Sequence, residues 1–239
     1  DESNEQALYL FFYSLMHGSA KEIEKLDTLV GMDSIKQAVD EFENLNTRLG
    51  AKVKDFRLPD YFNRKITRTM DEVSLYAVVS AIDAVTDAGL LNDEILSNGQ
   101  TGVSYGSSTG SIKAFMDFYT MNIEHHVKSI NSGSYIKMMS QTAAVNISLY
   151  FKTKGRLVPT STACTSGSLG IGSAYELIKN GIQTVMIAGG SEAFHPTQVG
   201  GFDSLYATSS KNDTPEKTPA PYDKDRDGLV IGEGAGAVV

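Results

Sequence analysis

The sequence predicts an α/β fold, and three consecutive stretches of the chain indicate it. Residues 156–160 and 184–188 are short apolar runs of the kind that form buried strands. Between them, residues 164–180 show helical spacing of apolar positions and are followed by Gly181, a residue type that commonly ends helices. A strand, a helix and a further strand in this order make up the unit from which parallel sheets are built. We therefore expect a parallel sheet with a helix packed against it.

Further elements are expected upstream of this unit. Residues 1–45 are rather acidic, and their apolar positions fall near helical spacing in two stretches. Residues 54–63 contain a proline and predict a loop. Residues 64–88 predict one long amphipathic helix that ends at Gly89.

The middle and the end of the chain hold three more predicted elements. Residues 102–106 predict a short strand that enters a glycine- and serine-rich turn, and residues 138–150 predict a helix. Residues 228–239 are apolar and glycine-rich, which is typical of a strand. A terminal strand would leave backbone groups unpaired, so we expect a partner half of the fold beyond this segment. The expected division is a helical segment, residues 1–45, followed by one domain, residues 46–239.

Composition narrows the function classes. The net charge of −8 argues against a general nucleic-acid binder, because phosphate contacts need clustered Lys and Arg. A single cysteine excludes an internal disulfide. The apolar run at residues 7–16 is too short to cross a bilayer, which takes roughly 20 residues, and the acidic start is unlike a signal peptide. We expect a cytoplasmic protein that binds neither nucleic acid nor membrane.

Cys164 lies where the strand of residues 156–160 gives way to the following helix. The positive end of the helix dipole favours a thiolate there, and N–H groups at a helix start can stabilise an oxyanion. The neighbouring residues are small and leave room for a substrate. These features predict an acyl-accepting nucleophile; the alternative is a buried structural cysteine, a common role for a free thiol.

Several segments around this cysteine resemble the elongating (type I/II) β-ketoacyl-acyl-carrier-protein synthases. The two longest read TSTACTSGSLGIGSAYELIKNGIQTVMIAGGSEA and NDTPEKTPAPYDKDRDGLVIGEGAGAVV. Three shorter ones lie upstream and read NTRLGAKVKDF, DYFNRKITRTM and GVSYGSSTGS. The resemblance covers residues 46–239.

The resemblance implies a thiolase-like fold with layered αβαβα architecture, of which this chain is the N-terminal half. It implies a homodimer and a decarboxylating Claisen condensation, in which Cys164 takes an acyl chain and a malonyl-carrier carbanion attacks it. No cofactor is implied, since the substrates are carried on the phosphopantetheine of acyl carrier protein, the expected partner.

The family pattern also includes residues that this chain does not contain. Its first strand and loop, similar to VVITGxGxxSPxG, have no counterpart in residues 1–33. Its two histidines and lysine, in motifs such as NAHGTST and GHTxGAAG, are absent too. We therefore expect that the chain alone does not condense. His195, beyond the strand of residues 184–188, is the local candidate for a base; the alternative is a histidine in a surface loop.

Two further groups take roles from the resemblance. Thr109 stands where a bulky residue often gates the acyl pocket, and Met138 is expected to line the same pocket across the dimer. Arg64, Lys65 and Arg68 form a basic cluster that matches family positions used for carrier-protein docking, and Lys128 extends it. The alternative for the cluster is a solvated helix start.

No metal site is expected. Residues 223–228 imitate a calcium loop, but Gly234 stands where the bidentate Glu is required. His125 and His126 have no ligand-type residues at suitable spacing. Residues 106–111 have the glycines and serines of a phosphate cradle, yet lack its lysine.

Three functions remain open at the level of sequence. The first is a 3-oxoacyl-ACP synthase of fatty-acid or polyketide synthesis. The second is a non-catalytic partner of such an enzyme, similar to a chain-length factor, although such partners usually replace the cysteine. The third is an interaction module retained for dimerisation. Thiolase itself fits less well, because DKDRDGLVIGEGAG resembles a synthase.

Overall fold

The computed structural model describes residues 44–128 and 130–239. The helices predicted for residues 1–45 therefore fall almost wholly outside the described residues. The chain divides into two compact units. The first contains the described residues up to Arg57 together with Phe194–Glu233, and the second contains Leu58–Ala193 and Gly234–Val239.

The second unit is built on a four-stranded sheet that contains β2 (Thr101–Gly106), β3 (Leu157–Thr160), β4 (Val185–Glu192) and β6 (Gly234–Val238). The strands lie in the order β3-β2-β4-β6. The first three are parallel, and β6 runs antiparallel to β4. This confirms the predicted strand-helix-strand unit, with β2 inserted between its two strands.

Strand β4 is longer than predicted, because it continues through Gly189 and Gly190 to Glu192. Both glycines sit where neighbours approach closely. A Cβ on Gly189 would lie 2.0 Å from the Gly236 carbonyl oxygen, and one on Gly190 would lie 2.9 Å from the Gly167 Cα atom. Gly189 therefore permits close packing within the sheet, and Gly190 permits the close approach of the helix that contains Gly167.

Helices cover the two faces of this sheet. On one face, α2 (Glu72–Asp87) and α5 (Thr142–Phe151) bury their apolar residues against Val103, Tyr105 and Ile187. On the other face, α6 (Ser166–Lys179) lies so close that a Cβ on Gly170 would be 3.0 Å from carbonyl oxygens of both β2 and β4. Burial of each such valine or isoleucine side chain stabilises the fold by about 1.5–3 kcal/mol.

The single helix predicted for residues 64–88 is wrong, because the chain forms two helices there. Helix α1 (Arg64–Thr67) ends before a short break, and Asp71 begins α2 by accepting from the Glu72 N–H at 3.1 Å. Contacts with a residue far along the chain stabilise the break between the two helices. The Thr69 hydroxyl donates to the Asn146 side-chain oxygen at 2.7 Å, and the Asn146 side-chain nitrogen donates to the Thr69 carbonyl at 3.2 Å. Gly89 follows α2 with φ +72°, as its predicted role as a helix end requires.

The helix predicted for residues 138–150 also begins elsewhere. Met138 ends α4 (Ser132–Met138), Met139 is extended, and α5 starts only at Thr142. Helix α3 (Ile112–Glu124) precedes α4 in a stretch for which the sequence predicts no element.

The first unit contains a two-stranded parallel sheet, β1 (Gly50–Ala51) with β5 (Ile231–Gly232), and helix α7 (Pro196–Asp203). Asp203 is its main polar anchor and accepts from the Thr208 hydroxyl and from the N–H groups of Asn46 and Thr47. Burial would raise the pKa of Asp203, but these hydrogen bonds together outweigh it and lower the pKa below its usual value.

None of the helices in the described part of the chain has the length and hydropathy required to cross a bilayer.

Candidate active site

Cys164 lies in a tight turn, residues 161–165, between the end of β3 and the start of α6. The helix begins at Ser166, two residues later than predicted, so Cys164 precedes the helix and is exposed. Its neighbour Ala163 has φ +53°, a left-handed conformation that costs a non-glycine residue free energy. This Cys164 turn therefore has the sharp strand-to-helix geometry that lifts a side chain away from the backbone around it.

Ser166 holds the Cys164 turn closed. Its hydroxyl accepts from the Thr162 N–H at 2.8 Å and donates to the Ala163 carbonyl at 2.6 Å. Its own carbonyl accepts from the buried Thr160 hydroxyl at 2.8 Å. The start of α6 also lies directly against β2, because a Cβ on Gly106 would be 2.4 Å from the Ser166 carbonyl. The turn thus sits at the carboxyl ends of parallel strands, the edge where α/β proteins place their sites.

A second loop, residues 107–111, follows β2 at the same edge and is called the serine loop below. Ser161 of the Cys164 turn donates to the Ser108 carbonyl at 3.3 Å, so the two loops are in contact. Thr109 is exposed on the serine loop. Met138 lies against it, since a Cβ on Gly110 would be 2.5 Å from the Met138 carbonyl carbon. The structure therefore brings both predicted pocket residues to the loop beside the Cys164 turn.

Glu192 is the site residue that the sequence analysis missed. It ends β4, and its carboxylate accepts from the Ser108 N–H at 2.8 Å, from the Ser108 hydroxyl and from the Thr109 hydroxyl at 3.2 Å. Burial raises the pKa of Glu192 above its usual value, although the hydrogen bonds from Ser108 and Thr109 oppose the shift. A signal was present in the sequence, because a carboxylate that follows a buried strand is brought to the carboxyl edge of the sheet.

The same contacts explain the phosphate-cradle pattern of the serine loop. A cradle offers its backbone N–H groups to an anionic ligand. Here the Ser108 N–H is directed to the Glu192 carboxylate, and the Thr109 backbone also hydrogen-bonds to it. The protein thus supplies its own anion to the loop.

Arg64, Lys65 and Arg68 are all exposed, and none of them forms an ion pair with another residue of the described ranges. Helix α1 ends at Thr67, and Arg68 follows as its C-cap residue with helical backbone angles of φ −57° and ψ −27°. The Arg68 carbonyl lies near the start of α4, 3.3 Å from a Cβ built on Gly133. Lys128 is exposed in the loop between α3 and α4.

The remaining candidates have structural partners. His195 begins α7: its Nδ1 accepts from the Thr197 N–H at 3.3 Å. Burial, and then the nearby Lys52, lower the pKa of His195, which favours the neutral acceptor form.

His126 pairs with Glu124 at 2.8 Å. Asp227 lies in the segment of residues 223–228 that resembles a calcium loop, and its carboxylate accepts from the Ser209 hydroxyl at 2.9 Å. Among the described residues there is no cluster of three or more His, Cys, Asp or Glu side chains that could hold a metal.

A cleft of about 860 Å³ opens elsewhere on the second unit. Among the residues that line it are Tyr61, Asp83, Tyr150 and Lys152, and none belongs to the Cys164 turn or the serine loop. Burial, and then the Asp83 carboxylate, raise the pKa of Tyr61. The cleft is therefore separate from the candidate chemistry.

The sheet order and the cysteine-bearing turn define an α/β protein of thiolase-like fold. A crystal structure of a β-ketoacyl synthase from Burkholderia phymatum STM815 shares it, with a TM-score of 0.80 and 50% identity over 83% of this chain and 48% of that one. The model of the "Beta-ketoacyl synthase, N-terminal domain" family matches residues 17–239. The chain therefore belongs to the β-ketoacyl synthase family.

Two further relatives are informative. The 3-oxoacyl-[acyl-carrier-protein] synthase 2 of Synechocystis sp. is 35% identical over 193 residues, which are 80% of this chain and 46% of that protein. One chain of the AntDE:AntF complex, a type II PKS acyl-carrier protein with its ketosynthase, is similar at 26% identity and a TM-score of 0.63, over 81% of this chain and 46% of that one. The chain thus spans about half the length of the relatives it matches.

Proposed function

We propose that the protein acts as a 3-oxoacyl-ACP synthase of fatty-acid or polyketide synthesis and that Cys164 holds the acyl chain during the reaction. The observation that carries this proposal is the exposure of Cys164 on a strained turn between β3 and α6. Family membership supports the same role, because the curated relative from Synechocystis sp. bears that enzyme name.

The proposed reaction has two steps. In the first, the Cys164 sulfur attacks the carbonyl carbon of an acyl thioester, a new S–C bond forms, and the donor thiol leaves with a proton. In the second, a malonyl thioester loses CO₂. The electron pair of the broken C–C bond then forms a C–C bond to the acyl carbon, and the Cys164 sulfur departs with the electrons of its bond.

The two steps place different demands on this chain. Acyl transfer needs the thiol and donors for an oxyanion, which the start of α6 can offer. Condensation also needs groups that assist decarboxylation. His195 is engaged as the start of α7, and in the family pattern these groups lie in motifs that this sequence lacks. The proposal is therefore that this chain accepts an acyl group but does not condense without further residues.

The proposed partner is acyl carrier protein, docked at Arg64, Lys65, Arg68 and Lys128. These exposed cations stand out on a chain of net charge −8, and they fit an acidic partner. The similarity to a ketosynthase that was solved in complex with its carrier protein supports the same partner.

A homodimer is proposed as the working state. Phe115, Tyr119 and Ile123 recur every four residues along α3, and each is more than half exposed. Val127 and Tyr135 add apolar surface beyond the end of that helix. Patches of this kind on soluble proteins mark interaction sites, and a second copy would cover this one. No cofactor is proposed apart from the carrier's phosphopantetheine, and the cytoplasmic location stays a prediction.

Intact mass spectrometry tests the proposed function. The protein is incubated with an acyl carrier protein bearing a short or long acyl chain, beside a Cys164→Ala control. We expect a mass increase equal to the acyl group on the native chain and none on the control. A folded native chain that gains no mass would overturn the enzyme proposal and favour the interaction module.

A further inference from the structure

Glu192, at the end of β4, contacts the serine loop that follows β2. Residues 108 and 192 lie 84 positions apart in sequence and meet because β2 and β4 are parallel neighbours, with Gly106 paired to Gly190. The two Glu192 oxygens divide the donors: Oε2 takes the Ser108 N–H and hydroxyl, and Oε1 takes the Thr109 hydroxyl. Ser107 adds a longer contact at 3.4 Å. One carboxylate thus fixes three consecutive residues.

No cation in the described part of the chain pairs with the Glu192 carboxylate. Across the described ranges, no Lys, Arg or His lies within ion-pair distance of Glu192. A largely buried carboxylate without a cation is costly unless hydrogen bonds compensate it. Among the residues that the structure describes, every hydrogen-bond donor to Glu192 comes from residues 107–109. The loop is therefore coupled to Glu192 itself and not to a wider ionic network.

The hydrogen bonds from Ser108 and Thr109 to the Glu192 carboxylate, called the clamp below, restrain both the backbone and one side chain of the serine loop. Ser107 donates its hydroxyl to the Thr109 carbonyl, which tightens the loop further. The Thr109 hydroxyl is held by Oε1, so the exposed Thr109 side chain is restricted to one orientation beside the Cys164 turn. Through Ser161, the Ser108 carbonyl is joined to that turn as well.

We propose that Glu192 is a positioning residue for chain-length selection: it holds the serine loop and Thr109 in the arrangement that long apolar chains follow to the Cys164 sulfur. This rests on the proposed function, which makes Cys164 the acyl site. A preordered loop adds no ordering cost when a long chain contacts it, whereas a free loop must be ordered by the chain itself. A short chain does not extend along the loop and is insensitive to the clamp.

Alkylation of Cys164 tests the inference without any enzymatic step. The chain contains one cysteine, so each reagent labels a single position. The rates of labelling by N-methylmaleimide and N-octylmaleimide are measured by intact mass for the native protein and for Glu192→Ala. We expect the octyl-to-methyl rate ratio to fall by about three- to tenfold in Glu192→Ala. This range corresponds to the net free energy that one hydrogen bond contributes.

Three variants separate positioning from general destabilisation. Glu192→Gln keeps an acceptor for the Ser108 N–H and should restore most of the native ratio. Asp203→Asn weakens a buried carboxylate whose hydrogen-bond donors all belong to the first unit, and it should lower the melting temperature with no change in the ratio. Thr109→Val should lower the ratio and be non-additive with Glu192→Ala, because both remove the same restraint.

An unchanged octyl-to-methyl ratio in folded Glu192→Ala overturns the inference. So does an equal change in Asp203→Asn, since stability alone would then explain the effect. Acylation of the native protein by acyl carrier protein is measured in parallel. Its absence, with a normal maleimide ratio shift, would defeat the proposed function and leave the positioning role of Glu192 intact.

Discussion

The Ser166 hydroxyl donates to the Ala163 carbonyl at 2.6 Å and accepts from the Thr162 N–H at 2.8 Å, so one side chain closes the turn that presents Cys164. Ala163 has φ +53°, a conformation that persists only while its surroundings enforce it. The geometry of the proposed nucleophile therefore depends on a serine two residues away.

Replacement of Ser166 by alanine should open this turn. The Thr162 N–H loses its partner and the Ala163 carbonyl keeps only the backbone N–H of residue 166, so we expect a loss of about 1–3 kcal/mol in the free energy of unfolding. We also expect acyl transfer to Cys164 to slow by about tenfold, because the sulfur is no longer held in position. Ser168→Ala in the same helix is the matched control. Equal rates for the two variants would contradict the role of Ser166.

Gly106 and Gly172 make a paired test of packing at α6. A Cβ on Gly106 would lie 2.4 Å from the Ser166 carbonyl, so Gly106→Ala should displace β2 or the helix and destabilise the protein by about 2–4 kcal/mol. A Cβ on Gly172 meets nothing within 4 Å, and Gly172→Ala should stabilise α6 by about 0.5–1 kcal/mol. Urea denaturation measures both, and opposite signs are the expected result.

Charge reversal tests the docking surface. Lys65→Glu combined with Arg68→Glu should weaken binding of acyl carrier protein by about three- to thirtyfold, with a smaller dependence on salt than the native protein shows. Lys154→Glu with Lys179→Glu changes the net charge equally at other exposed sites. Calorimetric titration at two salt concentrations distinguishes them, and identical affinities for both double variants would exclude this surface.

The raised pKa of Glu192 predicts how stability depends on pH. A carboxyl whose pKa is higher in the folded than in the unfolded chain contributes stability below its ordinary value of 4.5. That contribution disappears as the pH rises through the folded pKa. The native protein should therefore lose stability relative to Glu192→Gln as the pH increases from 4 towards neutrality, as measured by denaturation at each pH. A difference that is constant with pH would show that burial does not perturb this carboxyl.

Asp203 predicts the opposite trend. Its hydrogen bonds lower the folded pKa below the ordinary value of 3.8, so its stabilisation is present above that value and is lost as the pH falls through the folded pKa. The native protein should therefore lose its advantage over Asp203→Asn in acid. Parallel denaturation curves at pH 2.5 and pH 6 measure this, and a growing advantage in acid would contradict the assignment.

Local sequence patterns predicted the elements that depend on near neighbours. The strand-helix-strand unit, the strand at residues 102–106 and the end of α2 at Gly89 follow from apolar spacing and from the conformational freedom of glycine. Element boundaries failed where distant residues intervene. Asn146 fixes the break after α1 from 77 positions away, and no short-range pattern contains that contact.

The candidate site divides in the same way. Cys164 could be singled out because a strand followed at once by a helix is visible within twenty residues of sequence, and the surrounding motifs carry the family resemblance. Its place after a buried strand could have assigned Glu192 to the carboxyl edge of the sheet. Its hydrogen bonds to Ser108 and Thr109 could not be predicted, since they require that β2 and β4 be neighbours and in register. The turn that carries Cys164 can be located from local pattern, because strand and helix periodicity are properties of neighbouring residues. The side chains around that turn depend on tertiary packing, because the order of strands in a parallel sheet is set by contacts between residues far apart in the chain.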